Sequence, residues 1–366
     1  MDSMRIGVVG TGMMGCEHLR NVMALGGATV TAFSDPSDES RQWARRTLGD
    51  DHPVVAEFCD HRDLVTSGLV DAVIVASPNF THLDVLTDLL ATDLPVLVEK
   101  PLCTTVEDCG RVAALASRRD AITWVGLEYR YIAQVRTLLE LLAAGTVGDL
   151  RMLSVREHRF AFLPKVGNWN RFNRNTGGTL VEKCCHFFDL MNLAMRTSHR
   201  DDRPVRVYAS GGQDVNHLDE VYDGEVPDVL DNAYVIVDYA SGARACLDLC
   251  MFAEAGRNEQ ELVAVGPLGK IEAFVPGAGH VLVGDRRASA IGDPVVHEVP
   301  VVDDPRIGYR GAHHGASYLE IAEFVDAVRD GRPAGVSVDD GCWSVAVGVA
   351  AHRSIDEGRA VRLDEC

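Results

Sequence analysis

The sequence predicts a doubly wound parallel α/β sheet followed by an α+β domain with a large, mostly antiparallel open sheet. Three observations carry this. Residues 4–125 hold five short apolar runs, rich in Val and Ile and without polar alternation, as strands buried on both faces require. Helix-length segments separate them, which is the spacing of crossover connections in a parallel sheet. From about residue 150 to 302 the pattern becomes strand-like stretches divided by Gly, Pro and Asp turns. A length of 366 residues suits two domains, here 1–127 and 128–366.

In order, Met4 to Val9, Thr29 to Phe33, Val70 to Ala76, Pro95 to Val98 and Ile122 to Val125 read as strands of the first sheet. Gly15 to Leu25, Phe80 to Leu90 and Thr104 to Ser117 read as crossover helices. After Gly126 a helix starts at about Glu128, with Tyr131, Val135, Leu138, Leu139 and Leu142 at helical spacing, and closes near Gly145. Arg203 to Ser210, Ala233 to Tyr239, Arg244 to Met251 and Ile271 to Val275 supply strands of the second sheet. The tail returns to helix: Ile321, Phe324, Val325 and Val328 form one stripe closed by Gly331, and Asp339 is placed to cap a last helix reaching about Ile355.

Composition excludes several functions. Thirty-five Lys and Arg against 54 Asp and Glu give a net charge of −19, a field that repels phosphate backbones and anionic lipid surfaces, so neither nucleic acid nor a membrane is an expected partner. No stretch of about 18 residues is free of charge, and Met1 to Gly10 lacks the basic and apolar segments of a signal peptide, so a cytoplasmic protein is expected. The ten cysteines form no C-x-x-C pair and are expected to be reduced and mostly buried. No metal site is expected, since Cys184 and Cys185 beside His186 point to different helix faces and lack further ligands at suitable spacing.

Directly after the first strand stands Gly10-Thr11-Gly12-Met13-Met14-Gly15, leading into a helix. In that setting Gly10 permits the tight turn, Gly12 lets backbone approach a pyrophosphate, Gly15 allows close helix packing, and the helix amino terminus attracts the phosphates. Asp35 lies 20 residues beyond Gly15 at the end of the second strand, where a carboxylate accepts both adenosine-ribose hydroxyls and repels a 2′-phosphate. NAD is therefore expected over NADP. The alternative for Asp35 is a helix cap before Pro36.

Three more clusters stand further along the chain: Ser77-Pro78-Asn79-Phe80-Thr81-His82, Glu99-Lys100-Pro101, and Gly177-Gly178-Thr179-Leu180-Val181-Glu182-Lys183-Cys184-Cys185-His186. Together with the glycine motif they make the chain resemble the Gfo/Idh/MocA family of oxidoreductases along its whole length. The resemblance implies a Rossmann domain, an open-sheet domain and a substrate between them. It also implies a homo-oligomer, dimer or tetramer, assembled through the open sheet. It assigns Lys100 to a place beside the nicotinamide and the reacting carbon, His186 to the site histidine, and Glu182 to the position where relatives such as inositol dehydrogenase carry aspartate. By the same resemblance Ser77, Asn79, His82 and Glu99 surround the nicotinamide and its ribose. Arg130, His158, Trp169, Asn170 and His314 lie in segments that border the substrate cleft.

The residue chemistry agrees with these roles. Glu182, His186 and Asp189 fall at i, i+4 and i+7, so a helix starting near Thr179 presents all three on one face. Oxidising a carbinol requires a group that removes the hydroxyl proton. A partly desolvated lysine beside a cationic ring has a lowered pKa, which suits Lys100 as base or as stabiliser of the alkoxide, with His186 exchanging the proton. His186 read alone is as well a packed core histidine, and His82 a residue that packs the next helix. Trp169 beside Asn170 suits a sugar ring, through an aromatic platform and amide hydrogen bonds, though a structural tryptophan explains it almost as well. The expected activity is an NAD-dependent dehydrogenase acting on a secondary hydroxyl of a sugar, sugar derivative or cyclitol, a small polyhydroxylated substrate. The alternatives are an NAD-dependent glycosidase working through transient oxidation, a keto-sugar reductase and a non-catalytic dinucleotide-dependent regulator.

Overall fold

The computed structural model describes residues 3–50 and 52–366; Met1 and Asp2, which begin the stretch Met1 to Gly10, and Asp51 lie outside the described residues. The first half runs β1 (Met4–Val9), α1 (Met13–Ala24), β2 (Ala28–Ser34), α2 (Asp38–Leu48), β3 (Ala56–Phe58), α3 (His61–Thr66), β4 (Ala72–Val75), α4 (His82–Leu89), β5 (Val96–Glu99), α5 (Val106–Ala116) and β6 (Thr123–Gly126). Its six strands are parallel in the order β3-β2-β1-β4-β5-β6. The strand order reverses between β1 and β4, the point at which open α/β sheets bind ligands at the carboxyl ends of their strands. Every residue of β4, β5 and β6 is buried, as the unbroken apolar runs require.

The second half runs α6 (Ala133–Ala143), β7 (Met152–His158), α7 (Asn173–Thr176), α8 (Thr179–Glu182), α9 (Cys185–Ser198), β8 (Pro204–Gly212), β9 (Asn232–Tyr239), β10 (Arg244–Cys250), β11 (Gln260–Gly266), β12 (Gly269–Val275), β13 (His280–Asp285), β14 (Val296–Pro300), α10 (Ala316–Asp330), α11 (Val338–Glu357) and β15 (Val361–Arg362). Nine strands form one sheet in the order β14-β13-β12-β11-β7-β10-β9-β8-β15. Within this sheet, among the described residues, only β7 and β10 pair in parallel. One face of this sheet packs on α6, α9 and α11, while the other leaves Tyr208, Tyr234, Ile236 and Met152 exposed.

The two halves share a core. Ile321, Phe324, Val325 and Ala327 of α10, with Val336 and Val345, pack among the apolar residues of the first sheet. Trp124 of β6 meets Phe324 edge-on, with ring centroids 6.2 Å apart, and the Val125 amide donates to the Val336 carbonyl at 3.2 Å.

Four local expectations change. β3 is a three-residue edge strand too short to show in the pattern. The helix expected from Glu128 is interrupted: residues 128–131 make a 3₁₀ turn, Ile132 is extended with ψ 128°, and α6 begins at Ala133. Ser337, not Asp339, caps α11, in a reciprocal capping box with Asp340. The helix expected from Thr179 is two pieces, because Lys183 and Cys184 turn the chain between α8 and α9.

Candidate active site

The nucleotide end is built by β1, the turn after it, and α1. Gly10 has φ +86°, and a Cβ there would lie 2.5 Å from the Ser77 amide, so only glycine lets the β1 and β4 loops meet. A Cβ on Gly15 would lie 2.0 Å from the Gly10 carbonyl oxygen. Gly12 caps α1 without a side chain, and the first helical bond is from the Cys16 amide to the Gly12 carbonyl at 2.9 Å. The amides of Met13, Met14 and Gly15 thus stand at a helix amino terminus beside open space over Gly12, with Met13 exposed. Thr11 Oγ1, Ser34 Oγ and Asn79 Nδ2, on the loops and strand ends around this turn, are buried without hydrogen-bond partners. Asp35 Oδ2 accepts the Thr11 amide and Oδ1 the Ser37 amide, both at 2.8 Å. Asp35 therefore braces the glycine turn and the loop before α2, whose cap is Ser37 and not Asp35, and each oxygen keeps a lone pair for a further donor. A dinucleotide fits this cradle.

The chemical end lies where β5 and β6 finish against α8 and α9. Glu99 Oε1 meets His18 Nε2 at 2.7 Å in full burial, and its Oε2 accepts the Lys100 amide at 3.1 Å. Burial opposes the Glu99 charge, but His18, Lys100 and His313 outweigh it and hold the carboxyl below its usual range. Lys100 reaches across the interface and donates from Nζ to the Glu182 carbonyl at 3.3 Å. Burial works against its ammonium, yet the Cys185 sulfur and the carboxyls of Glu128, Glu99 and Glu182 prevail and raise its pKa. In the chain alone the shift is thus opposite to the lowering expected.

Gly177 and Gly178, at φ 79° and 89°, turn the chain into α8 and set Glu182 in the interior. Its Oε1 takes Lys165 Nζ at 2.9 Å, and Oε2 is buried without a partner. The Lys165 ammonium also sits 4.4 Å above the Trp169 ring, which meets Phe80 edge-on at 6.2 Å. His186 lies flat against Tyr129, with centroids 4.0 Å apart and an interplanar angle of 6°. Burial first, and then Lys100 and Lys183, depress the His186 pKa far below the ordinary value, so the ring is neutral. Beneath it, Lys183 Nζ is clamped between Tyr129 Oη at 2.7 Å and Glu157 Oε1 at 2.8 Å.

Lys100, Glu182 and His186 are thus brought together, whereas several other candidates go elsewhere. Asp189 pairs with Arg130 at 2.5 Å, and Arg130 also reaches Asp340 at 3.1 Å, so this arginine neutralises two buried carboxylates. The break between α8 and α9 is what turns Asp189 away from Glu182. His158 lies on the outward row of β7 and pairs with Asp248 at 3.1 Å. Asn170 is fully buried and ties its own loop through the Leu163 carbonyl at 3.0 Å. His82 is enclosed, with Nδ1 2.9 Å from the Pro101 carbonyl and Nε2 3.0 Å from the Ser77 carbonyl, clasping two loops together. Ser77 Oγ accepts the Thr81 hydroxyl at 2.8 Å. His314 is exposed at φ 56°, and the neighbouring His313 is the one that enters the site.

Sequence reasoning missed Glu128, Tyr129, Glu157, Lys165, Lys183 and His313. Glu128 carried one usable signal: a charge two residues past the buried strand β6, at the carboxyl edge where ligands bind in such sheets.

Comparison with known proteins agrees with this architecture. Residues 4–127 match the model of the oxidoreductase family's NAD-binding Rossmann fold, and residues 139–363 that of its C-terminal alpha/beta domain. The chain is 28% identical over 371 residues to myo-inositol 2-dehydrogenase of Thermotoga maritima, covering 99% of both chains. It is 26% identical over 376 residues to inositol 2-dehydrogenase 1 of Saccharopolyspora erythraea, covering 99% of this chain and 97% of the other. The solved structure of levoglucosan dehydrogenase in complex with NADH superposes with a TM-score of 0.82 at 17% identity, over 99% of each chain, and shares its fold.

Proposed function

The chain belongs to the Gfo/Idh/MocA oxidoreductase family, with an NAD-binding Rossmann domain, and from that premise we propose that it is an NAD-dependent dehydrogenase of a cyclitol or sugar. The observation that carries this reading is the meeting of Lys100, Glu182 and His186 at the end of β5, over the amino-terminal turn of α9. The inositol dehydrogenases among its relatives support a polyhydroxylated ring as the substrate.

Bound NAD supplies the acceptor for the hydride that leaves the carbinol carbon. The chain does the rest. The free amides of Met13, Met14 and Gly15 hold the pyrophosphate, and Asp35 accepts the ribose hydroxyls through the lone pairs its backbone contacts leave. Its negative charge disfavours a 2′-phosphate, and so NADP. Lys100 Nζ orients the reacting hydroxyl and holds or takes its proton; a bound cationic ring would offset part of the rise that the surrounding carboxyls give its pKa. His186, neutral by burial, is ready to receive a proton. Glu182 keeps Lys165 against Trp169 and presents its unpartnered oxygen to substrate hydroxyls.

The test is a panel of inositols, other cyclitols and sugars offered with NAD, read by NADH absorbance. Stoichiometric NADH from a cyclic polyol is expected. Sugar release from glycosides without NADH accumulation would replace this reading with the glycosidase.

A further inference from the structure

Nothing in the dehydrogenase chemistry uses Glu128, yet its carboxyl is among the most enclosed in the molecule. The residue is 1% exposed, and neither Oε1 nor Oε2 has a hydrogen-bond partner. Two imidazoles face the same oxygen. Oε1 lies 3.7 Å from His186 Nε2 and 3.7 Å from His313 Nε2, gaps that a small ring rotation or a single water closes. The three groups form a gradient of exposure, since the side chains of His186 and Glu128 are each 2% exposed and that of His313 is 24% exposed. His313 is held at its far nitrogen, Nδ1 lying 3.2 Å from Ser317 Oγ at the start of α10.

We propose that Glu128 and His313 form the proton exit of this active site, carrying to solvent the proton that the substrate hydroxyl gives to His186. The proposal rests on the dehydrogenase reading. When the alcohol is oxidised, its O–H bond breaks, the electron pair stays with oxygen to form the carbonyl, and the hydride leaves carbon for NAD. The proton enters the neutral His186 ring at Nε2 and passes from that nitrogen to the Glu128 carboxylate, while Nδ1 keeps its own proton. Glu128 then hands it to His313 Nε2, and His313 to water. Two neutral imidazoles on either side of a carboxylate return to their starting state after each turnover. Glu128 acts through His186 and so is a positioning residue.

The groups facing Glu128 are Glu99 and Lys100 from the end of β5, Lys183 and His186 from the α8–α9 junction, His313 from the loop before α10, and Glu320 from α10. Burial first, and then the Glu99 charge, raise the Glu128 pKa to about 8 against the pull of Lys100 and Lys183. Only the ionised form accepts a proton, so alcohol oxidation should rise with pH through this value and level off above it.

The test has two arms. In NAD-loaded protein carrying ¹⁵N-histidine, the ring resonances of His186 and His313 should shift together, with one inflection near pH 8, and Glu128→Gln should remove it. In steady-state kinetics Glu128→Gln should lower kcat about tenfold or more and lose the same inflection, with substrate KM and NAD affinity within about twofold of the parent. Glu128→Asp should recover part of kcat. Independent titration of the two histidines, or an inflection that survives Glu128→Gln, overturns the relay; so does a loss confined to KM, which would make Glu128 a substrate contact. A protein that forms no NADH from any polyol refutes the dehydrogenase reading instead, and the resonance arm still decides whether the three groups exchange protons as one chain.

Discussion

The two sheets place functional residues by different rules. In the parallel sheet the faces of the strands carry only packing, and the chemistry sits just past their carboxyl ends: Gly10 after β1, Glu99 and Lys100 at the end of β5, Glu128 after β6. In the nine-stranded sheet the parity of a residue decides. Glu157 and His158 are neighbours in β7, yet Glu157 is fully buried and clamps Lys183 under the site, while His158 points outward to Asp248. Position along the strand matters in one sheet and side of the strand in the other.

The strand-end rule is tested hardest by Lys100→Met, which removes the proton-handling nitrogen and keeps the apolar stem. Turnover should fall by about 10² to 10⁴-fold with NAD affinity within about threefold of the parent, and a variant near full activity breaks the rule. A charge that serves the fold should behave differently. Arg130→Leu leaves Asp189 and Asp340 buried without their shared cation and should cost about 3–5 kcal/mol in urea unfolding. Unchanged stability with a raised substrate KM would return Arg130 to the cleft. At the nucleotide end, Asp35→Ser removes charged acceptors for two hydroxyls, and the preference for NAD over NADP should drop by about tenfold or more in a fluorescence titration. An unchanged preference would leave Asp35 as a brace of the two loops alone. The outward face should matter least to chemistry: Ile236→Asp, on a row with Tyr208 and Tyr234 exposed beside it, should keep NAD affinity within about twofold. The same substitution should shift sedimentation from an oligomer to a monomer, and a parent that sediments as a monomer would show that this face stays bare.

The sequence carried the architecture because its signals are local. Buried strands read as Val and Ile runs, the glycine motif sat between a strand and a helix, and Gly331 marked the end of α10. What escaped was set by contacts between distant residues. Arg130 looks like a cleft residue until Asp189 and Asp340, 59 and 210 positions away, close on it. Helical spacing put Asp189 beside Glu182, but the turn at Lys183 and Cys184 lets Lys183 reach Glu157 and rotates α9 relative to α8. His313 was passed over for His314 because the left-handed backbone at His314, which no pattern announces, decides which of the two enters the site.

The packing of α10 and its trailing loop into the first sheet has a consequence in time. During synthesis the strands β1 to β6 leave the ribosome complete, but Phe324, Val325 and Val336, which cover Trp124 and its neighbours, are still about 200 residues from being made. At about 5–20 residues per second that interval lasts roughly ten to forty seconds. Through it the nascent amino-terminal half carries an uncovered apolar flank, a surface for chaperones to hold until the last helices arrive.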